Sequence, residues 1–404
     1  MAISVHVIGE SRVRLWHLSP AERLRRQISR LDHARFGADL DALGPDERVL
    51  LMRADYVTET RTLKQLLARD KVVLRCASDR AYAAAVVSAA DARACAELLE
   101  GKTQDPPPGV MVLDPGDLAE YDETLRRAEL PFIERVSPSN ALWLEDKLYG
   151  SSYKGITDLV TKWVWPLPAR GAVRLCARFG ITPNMVTASG VILSVIAALL
   201  FWQGNYGAGL IAIWVMTFLD TVDGKLARVT VQSSRIGHVI DHGVDIIQPP
   251  ILYVLWGIAL PQLLTIWHVN GVEWYWVIIG AYAGGRLAEA AFHLLGDCSL
   301  FSWRPFDAYF RLITARRNPC LIILTAAWFV GEPDWGFTGV AAWTALTTIV
   351  LLVRLLQGLY ARLTGSPLHS WLRDRAAAAA RYPRAYATFA GTRAAYGRAD
   401  GPAA

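Results

Sequence analysis

Four aspartates, Asp220, Asp223, Asp241 and Asp245, fall within the stretch DTVDGKLARVTVQSSRIGHVIDHGVD (residues 220–245), between two long apolar runs. On a helix turning about 100° per residue, Asp220, Asp223, Gly224, Ala227 and Arg228 share one face. Gly237, Asp241 and Asp245, spaced at i, i+4 and i+8, form a second stripe. Two facing helices therefore point four carboxylates into one space. Carboxylates held that close raise one another's pKa unless a cation sits among them. With oxygen donors dominating the pattern, a hard divalent ion, Mg²⁺ or Mn²⁺, is favoured over zinc. Magnesium keeps open positions for substrate phosphates, so a phosphorylated or pyrophosphate-bearing substrate follows. Gly224, Ala227 and Gly237 clear bulk where such a ligand nears the backbone, and Arg228 meets its negative charge. His238 and His242 resemble half of a zinc site, but no third soft ligand accompanies them; they are expected to hydrogen-bond near the site or face lipid headgroups.

The elements that must hold these stripes are apolar. The chain has 404 residues, 53% of them hydrophobic, with 15 tryptophans, too rich for an ordinary soluble protein. Runs of the length that spans a hydrocarbon core predict six transmembrane helices, at about 182–202, 207–229, 236–259, 273–294, 318–333 and 336–360. Three of the loops lack Lys and Arg, whereas the others hold Lys225, Arg228 and Arg235, then Arg304, Arg311, Arg316 and Arg317. The positive-inside rule then places the aspartates and both termini on the cytoplasmic side. The N-terminus meets Glu10, Arg12 and Arg14 before any apolar core can form, so it does not read as a cleaved signal peptide. Five scattered cysteines without a CxxC pair argue against a disulfide framework. A net charge of +5 suits anionic headgroups as well as it suits nucleic acid, and no nucleic-acid partner is expected.

Residues 1–137 read as a soluble α/β domain. ISVHVIG, RVLLMRAD, KVVLRCA, GVMVLD and PFIERV are strand-like, with helical patterns between them. SPAE marks a helix start, with Ser19 as N-cap, Pro20 at the first position and Glu22 completing a capping box. Residues 138–180 mix tryptophans with basic residues in apolar runs too short to cross a bilayer; they form either an interfacial segment or an ordinary amphipathic linker. Residues 181–362 hold the six spans, and 363–404 form an Ala- and Arg-rich cytoplasmic tail, expected as a helix on the membrane surface without chemistry. Arg286 and Glu289 are either a pair inside the bundle or contacts to a substrate. Arg304, Arg316 and Arg317, beside Asn318, are candidates to grip an acceptor phosphate, and topology alone also explains them.

The spacing Asp-x2-Asp-Gly-x2-Ala-Arg-x8-Gly-x3-Asp-x3-Asp resembles the signature of the CDP-alcohol phosphotransferase family, and every fixed letter is present. ITPNMVT resembles that family's Pro-Asn-x-x-Thr element. The resemblance implies an α-helical integral membrane protein with six transmembrane helices, usually a homodimer, with a two-metal site at the cytoplasmic face. Asp220, Asp223 and Asp241 would bind Mg²⁺ or Mn²⁺, with Asp245 as a shared ligand and as general base. Asn184, Thr187, Asp220, Gly224, Ala227 and Arg228 would hold the CDP moiety. The reaction implied is attack of a hydroxyl on the β-phosphorus of a CDP-linked donor, releasing CMP. CDP-diacylglycerol is the expected donor and a polar alcohol or polyol phosphate the acceptor, at the inner membrane of a bacterium. A CDP-inositol-type donor is the rival within this class, and a divalent cation transporter the rival outside it. The soluble part is similar to the nucleotidyltransferase-like domain fused to some members, with Asp55 ending the strand that would bind metal. Only Gly9 stands where a glycine-rich phosphate loop is needed, so this domain is expected to be inactive.

Overall fold

The computed structural model describes residues 3–31, 34–37, 40–232, 235–260 and 271–391, without the side chains of 34, 235–242, 271 and 272. The N-terminal part runs β1 (Ile3–Ile8), α1 (Pro20–Ile28), β2 (Ala34–Phe36), β3 (Arg48–Arg53), β4 (Tyr56–Thr58) and α2 (Thr60–Leu67). It continues with β5 (Val72–Arg75), β6 (Tyr82–Ser88), α3 (Ala89–Leu99), β7 (Met111–Leu113), β8 (Tyr121–Asp122), β9 (Arg127–Ala128) and β10 (Ile133–Arg135). A six-stranded mixed sheet has the order β2-β1-β3-β6-β5-β7, with β6 antiparallel to both neighbours.

Strand alternation decides which face each side chain covers. Leu50 and Met52 pack with Leu24 of α1 and Leu63 of α2, whereas Val49 and Leu51 pack with Cys95 and Leu98 of α3. The result is an α/β/α sandwich. All five strand-like segments read from the sequence are strands; β2, β4, β8 and β9 are short additions, and so is β6, whose YAAAVVS is rich in alanine, a helix former. Its alanines are fully buried between β3 and β5, where only small side chains fit both faces. Ser19 caps α1, accepting the Glu22 N–H at 3.1 Å. Glu22 does not reach back to complete the box; it pairs with Arg26 at 2.8 Å.

The remainder is helical: α4 (Ala141–Gly150), a π-turn at Val160–Val164, α5 (Pro166–Arg178), then α6 (Pro183–Trp202) and α7 (Tyr206–Val229). There follow α8 (Arg235–Ile258), α9 (Gly271–Leu295), α10 (Leu300–Trp303), α11 (Pro305–Ile313), α12 (Arg317–Val330), α13 (Pro333–Leu363), α14 (Arg375–Arg381) and α15 (Pro383–Phe389). Among the described residues, α6 and α13 are long and apolar enough to cross a membrane. Gly243–Ile258 of α8 and all of α12 are shorter apolar helices.

Two apolar joints tie the halves together. In the first, Trp16, Phe132, Leu144, Leu148 and Tyr149 share a core with Val222 and Leu226 of α7. The segment 138–180 is thus wedged between sandwich and bundle on one face, while Trp163, Leu167, Leu175 and Phe179 stay exposed on the other. In the second, the tail folds back: Phe389 is fully buried with Ala128, Ile156 and Phe301. The Ala128 N–H donates to the Ala390 carbonyl at 2.9 Å. The tail to Gly391 is therefore a packed element, not a helix resting on the membrane surface, because its aromatic residues find a protein core. Gly155 sits where these parts meet, and a Cβ there would run into the Phe389 and Arg126 carbonyl oxygens.

Candidate active site

The motif helix α7 is fixed at its C-terminal end by the α/β sandwich. Arg23 donates to the Val229 carbonyl and Arg26 to the Thr230 carbonyl, the latter at 2.9 Å, so cations of α1 meet the orphan carbonyls that end α7. On its other side α7 packs along α6, whose N-cap Thr182 and Pro183 start the helix just before Thr187. The Thr187 hydroxyl donates to Asp223 Oδ2 at 2.6 Å. Asp223 is 6% exposed, so this bond orients a carboxylate with little access to solvent.

Helix α8 carries Pro249 and Pro250. Pro249 lacks the N–H that would bond the Asp245 carbonyl four residues back. That carbonyl instead accepts from the Tyr282 hydroxyl of α9 at 3.3 Å, which pins the turn bearing Asp245. Arg286 donates to the same hydroxyl at 3.3 Å. Tyr282 was not legible as a site residue, since nothing local distinguishes it from other aromatic residues of the span.

Asp220, Asp223, Gly224, Arg228 and Asp245 line one cavity of about 220 Å³. Arg317, at the start of α12, bridges two of these carboxylates, 2.7 Å from Asp220 and 3.1 Å from Asp245, and reaches Gln248 at 3.2 Å. Among the described residues, seven basic and four acidic side chains line the cavity, so their net character is cationic. Ala227 and Asn184 do not line it, and Asn184 is exposed in the first turn of α6. Arg316 lines the cavity and pairs with Glu289, which Arg286 approaches at 3.5 Å. Arg304 stands apart: its guanidinium lies 4.4 Å from the Trp303 ring, and its N–H is capped by Asp307 at 3.0 Å. Arg304 is thus not among the residues that line the cavity. The side chains of His238, Asp241 and His242 lie outside the described residues, and Gly237 is described only by its backbone in α8.

Lys154 and Asp158, from the loop between α4 and the π-turn, also line the cavity. The signal for them was present in SSYKGITDL, a small polar run with one lysine and one aspartate inside an otherwise tryptophan-rich segment. This loop is tied to α7, because the Ser152 carbonyl accepts from Lys225 at 3.0 Å and from Arg228 at 3.3 Å. Burial alone would raise the Asp158 carboxyl, but Arg311, the Thr161 N–H and the Asn318 amide outweigh it and hold the carboxyl below its ordinary range.

Among the described residues no three carboxylate, imidazole or thiol groups cluster tightly enough to hold a metal ion. The described donors on the wall between α7 and α8 are nevertheless all oxygen, and the Arg317 guanidinium stands between Asp220 and Asp245 as their counter-charge. That donor chemistry suits a hard divalent cation.

Comparison with known proteins fits the geometry. The model of the CDP-alcohol phosphatidyltransferase family matches residues 180–297. Archaetidylinositol phosphate synthase of Pyrococcus horikoshii is 35% identical over 106 residues, 26% of this chain and 53% of that protein. Phosphatidylinositol phosphate synthase of Mycobacterium tuberculosis is 37% identical over 94 residues, 22% of this chain and 42% of that protein. The chain thus spans about half the length of the curated relatives it matches. A crystal structure of the latter synthase with manganese and citrate aligns at 20% identity and a TM-score of 0.32, covering 48% of this chain and 89% of that one. Residues 180–297, which hold α6, α7, α8 and α9, are similar to the CDP-alcohol phosphatidyltransferase family.

Proposed function

We propose that the protein is a membrane-embedded CDP-alcohol phosphotransferase of phospholipid synthesis, moving a phosphatidyl group from CDP-diacylglycerol to a polar alcohol or polyol phosphate. The observation that carries this is the convergence of Asp220, Asp223, Gly224, Arg228 and Asp245 on one cationic cavity. Helices α6, α7, α8, α9, α12 and α13 are the six spans, with the cavity and both termini cytoplasmic in a bacterial inner membrane, and the working unit is a homodimer. The basic loops around Arg228 and before α12 support that orientation.

Asp220, Asp223, Asp241 and Asp245 would hold Mg²⁺ or Mn²⁺, and the bound ions would neutralise the pyrophosphate and its leaving group. Gly224, Ala227 and Arg228, with Asn184 and Thr187, accommodate the CDP half; Thr187 acts by orienting Asp223. Asp245 takes the proton of the acceptor hydroxyl. The new bond forms between that oxygen and the β-phosphorus, the bond from the β-phosphorus to the bridging oxygen breaks, and CMP leaves with the electron pair. Positioning and charge neutralisation do most of such a transfer. Arg316 and Arg317 face the acceptor.

Purified protein in detergent, given CDP-diacylglycerol, Mg²⁺ and a panel of polyols and polyol phosphates, is expected to release CMP. Chelation should stop the release and added Mg²⁺ or Mn²⁺ restore it. Activity with a soluble CDP-polyol and none with CDP-diacylglycerol would transfer the reading to the CDP-inositol type, and metal flux without CMP would replace it with transport.

The α/β sandwich serves as an inactive clamp. Asp55 is held by Arg53 at 2.9 and 2.8 Å and by Arg135 at 3.1 Å, leaving it already neutralised. Adding CTP and a sugar or polyol phosphate should yield no pyrophosphate; robust pyrophosphate formation would overturn the assignment.

A further inference from the structure

The tail beyond α13 carries no candidate ligand, yet it ends against the loop that walls the cavity. That loop, between α4 and the π-turn, supplies Lys154, Thr157 and Asp158 to the wall. At one end the Ser152 carbonyl is bonded to Lys225 and Arg228 of α7. Its middle residue, Gly155, is held from three other directions. The Gly155 N–H donates to the Leu125 carbonyl at 2.8 Å, its carbonyl accepts from Lys162 Nζ at 2.8 Å, and the Phe389 carbonyl stands where a Cβ would be. The Lys162 ammonium also lies over the Phe389 ring, 5.3 Å from its centre. One lysine thus couples the loop to the tail. Neither Lys162 nor Phe389 is among the residues that line the cavity.

The same ring closes an apolar support for other parts of the wall. Phe389 shares a core with Ile156 of the loop and Phe301 of α10, and Tyr309 of α11 meets it edge-on with centroids 4.9 Å apart. The guanidinium groups of Arg311 and Arg316, both on the wall, each lie 5.5 Å from the centre of the Phe301 ring. The tail is itself fixed to the body of the protein. The Leu368 carbonyl accepts from the Asp297 N–H at 3.1 Å, the Trp371 N–H donates to the Ser302 carbonyl at 3.1 Å, and Arg375 pairs with Glu120 at 3.3 Å. A loop has no helical ladder to set its place, so anchors of this kind decide where its side chains stand.

We propose that the C-terminal tail buttresses the reaction, with Phe389 and Lys162 as positioning residues that hold the 152–158 loop, and with it Lys154 and Asp158, in register with the α7 stripe. This rests on the phosphatidyl-transfer reading and adds to it the requirement that the segment after the last span be docked for turnover.

The full chain in detergent, with CDP-diacylglycerol and its best acceptor, tests it. Lys162→Met keeps the aliphatic stem and removes the ammonium. It should lower kcat for CMP release about ten- to a hundredfold, the scale of a displaced catalytic geometry. The donor KM should stay unchanged, because α7 is anchored separately through Arg23 and Arg26. Lys162→Arg should recover most of the loss. Phe389→Leu should match Lys162→Met, and the double variant should lose little more, since both act on one contact. Hydrogen exchange supplies a readout free of turnover: amides of residues 152–158 should exchange faster in both single variants, with β3 and α6 at wild-type rates. A wild-type kcat in Lys162→Met, a lower Tm with kcat intact, or faster exchange spread over the whole chain overturns the proposal. Faster exchange confined to 152–158, with no CMP released by the wild type from any acceptor, would leave the docked loop standing and overturn only phosphatidyl transfer.

Discussion

Asp245→Asn is expected to lower CMP release by about two to four orders of magnitude, the usual contribution of a positioned general base, while CDP-diacylglycerol binding stays measurable. Three features single out this residue. Its side chain is 45% exposed, against 26% for Asp220, so it has the freest access to the cavity of the two carboxylates that Arg317 bridges. Asp223 is buried and already accepts the Thr187 hydroxyl, which leaves it poorly placed to meet an incoming alcohol. The backbone under Asp245 is held by Tyr282, so the carboxylate projects from a fixed turn although Pro249 removes the helical bond there. Asparagine keeps the size and one acceptor oxygen facing Arg317, so the variant should fold, and the loss should fall on kcat. Turnover at the wild-type rate would remove Asp245 as base; loss of donor binding together with turnover would make it a binding residue only.

How much of this was readable beforehand varies with the physics behind each element. Apolar runs marked the positions of the helices α6, α7, α8, α9, α12 and α13 to within a few residues, because a long apolar stretch leaves a dense local signal. The facing of Asp220, Asp223 and Gly224 was readable because helical periodicity is rigid. What escaped was long-range. Lys154 and Asp158 reach the cavity because α4 and α5 share a core with α7, and no spacing in SSYKGITDL encodes that contact. Strand β6 was hidden for a different reason: its alanines have high helix propensity, and the tight space between β3 and β5 overrides it. Arg304, which the sequence left open between acceptor contact and topology, does not line the cavity, and its backbone N–H bonds Asp307 at the start of α11.

Arg317→Gln should produce the second large effect, and it separates counter-charge from catalysis. The guanidinium is 13% exposed and touches Asp220 at 2.7 Å and Asp245 at 3.1 Å. Removing it leaves two carboxylates of opposite helices without the guanidinium between them, and because Asp220 and Asp245 are themselves part-exposed the cost falls below the value of about 3–5 kcal/mol for breaking a fully buried pair. Metal-free protein should therefore lose stability, seen as a lower Tm in chelator. A divalent ion neutralises the same carboxylates, so Mg²⁺ or Mn²⁺ should raise the Tm of the variant more than that of the wild type. Linkage makes this difference a measure of how much tighter the ion binds once Arg317 no longer competes for the aspartates. Turnover should still fall, because the positive charge facing the acceptor is gone and glutamine supplies only a neutral donor. If the metal-free variant is as stable as the wild type, Arg317 is not the counter-ion of the aspartates. Equal metal-dependent shifts in the two proteins would mean that the ion binds away from Asp220 and Asp245, and the metal assignment of both would have to be withdrawn.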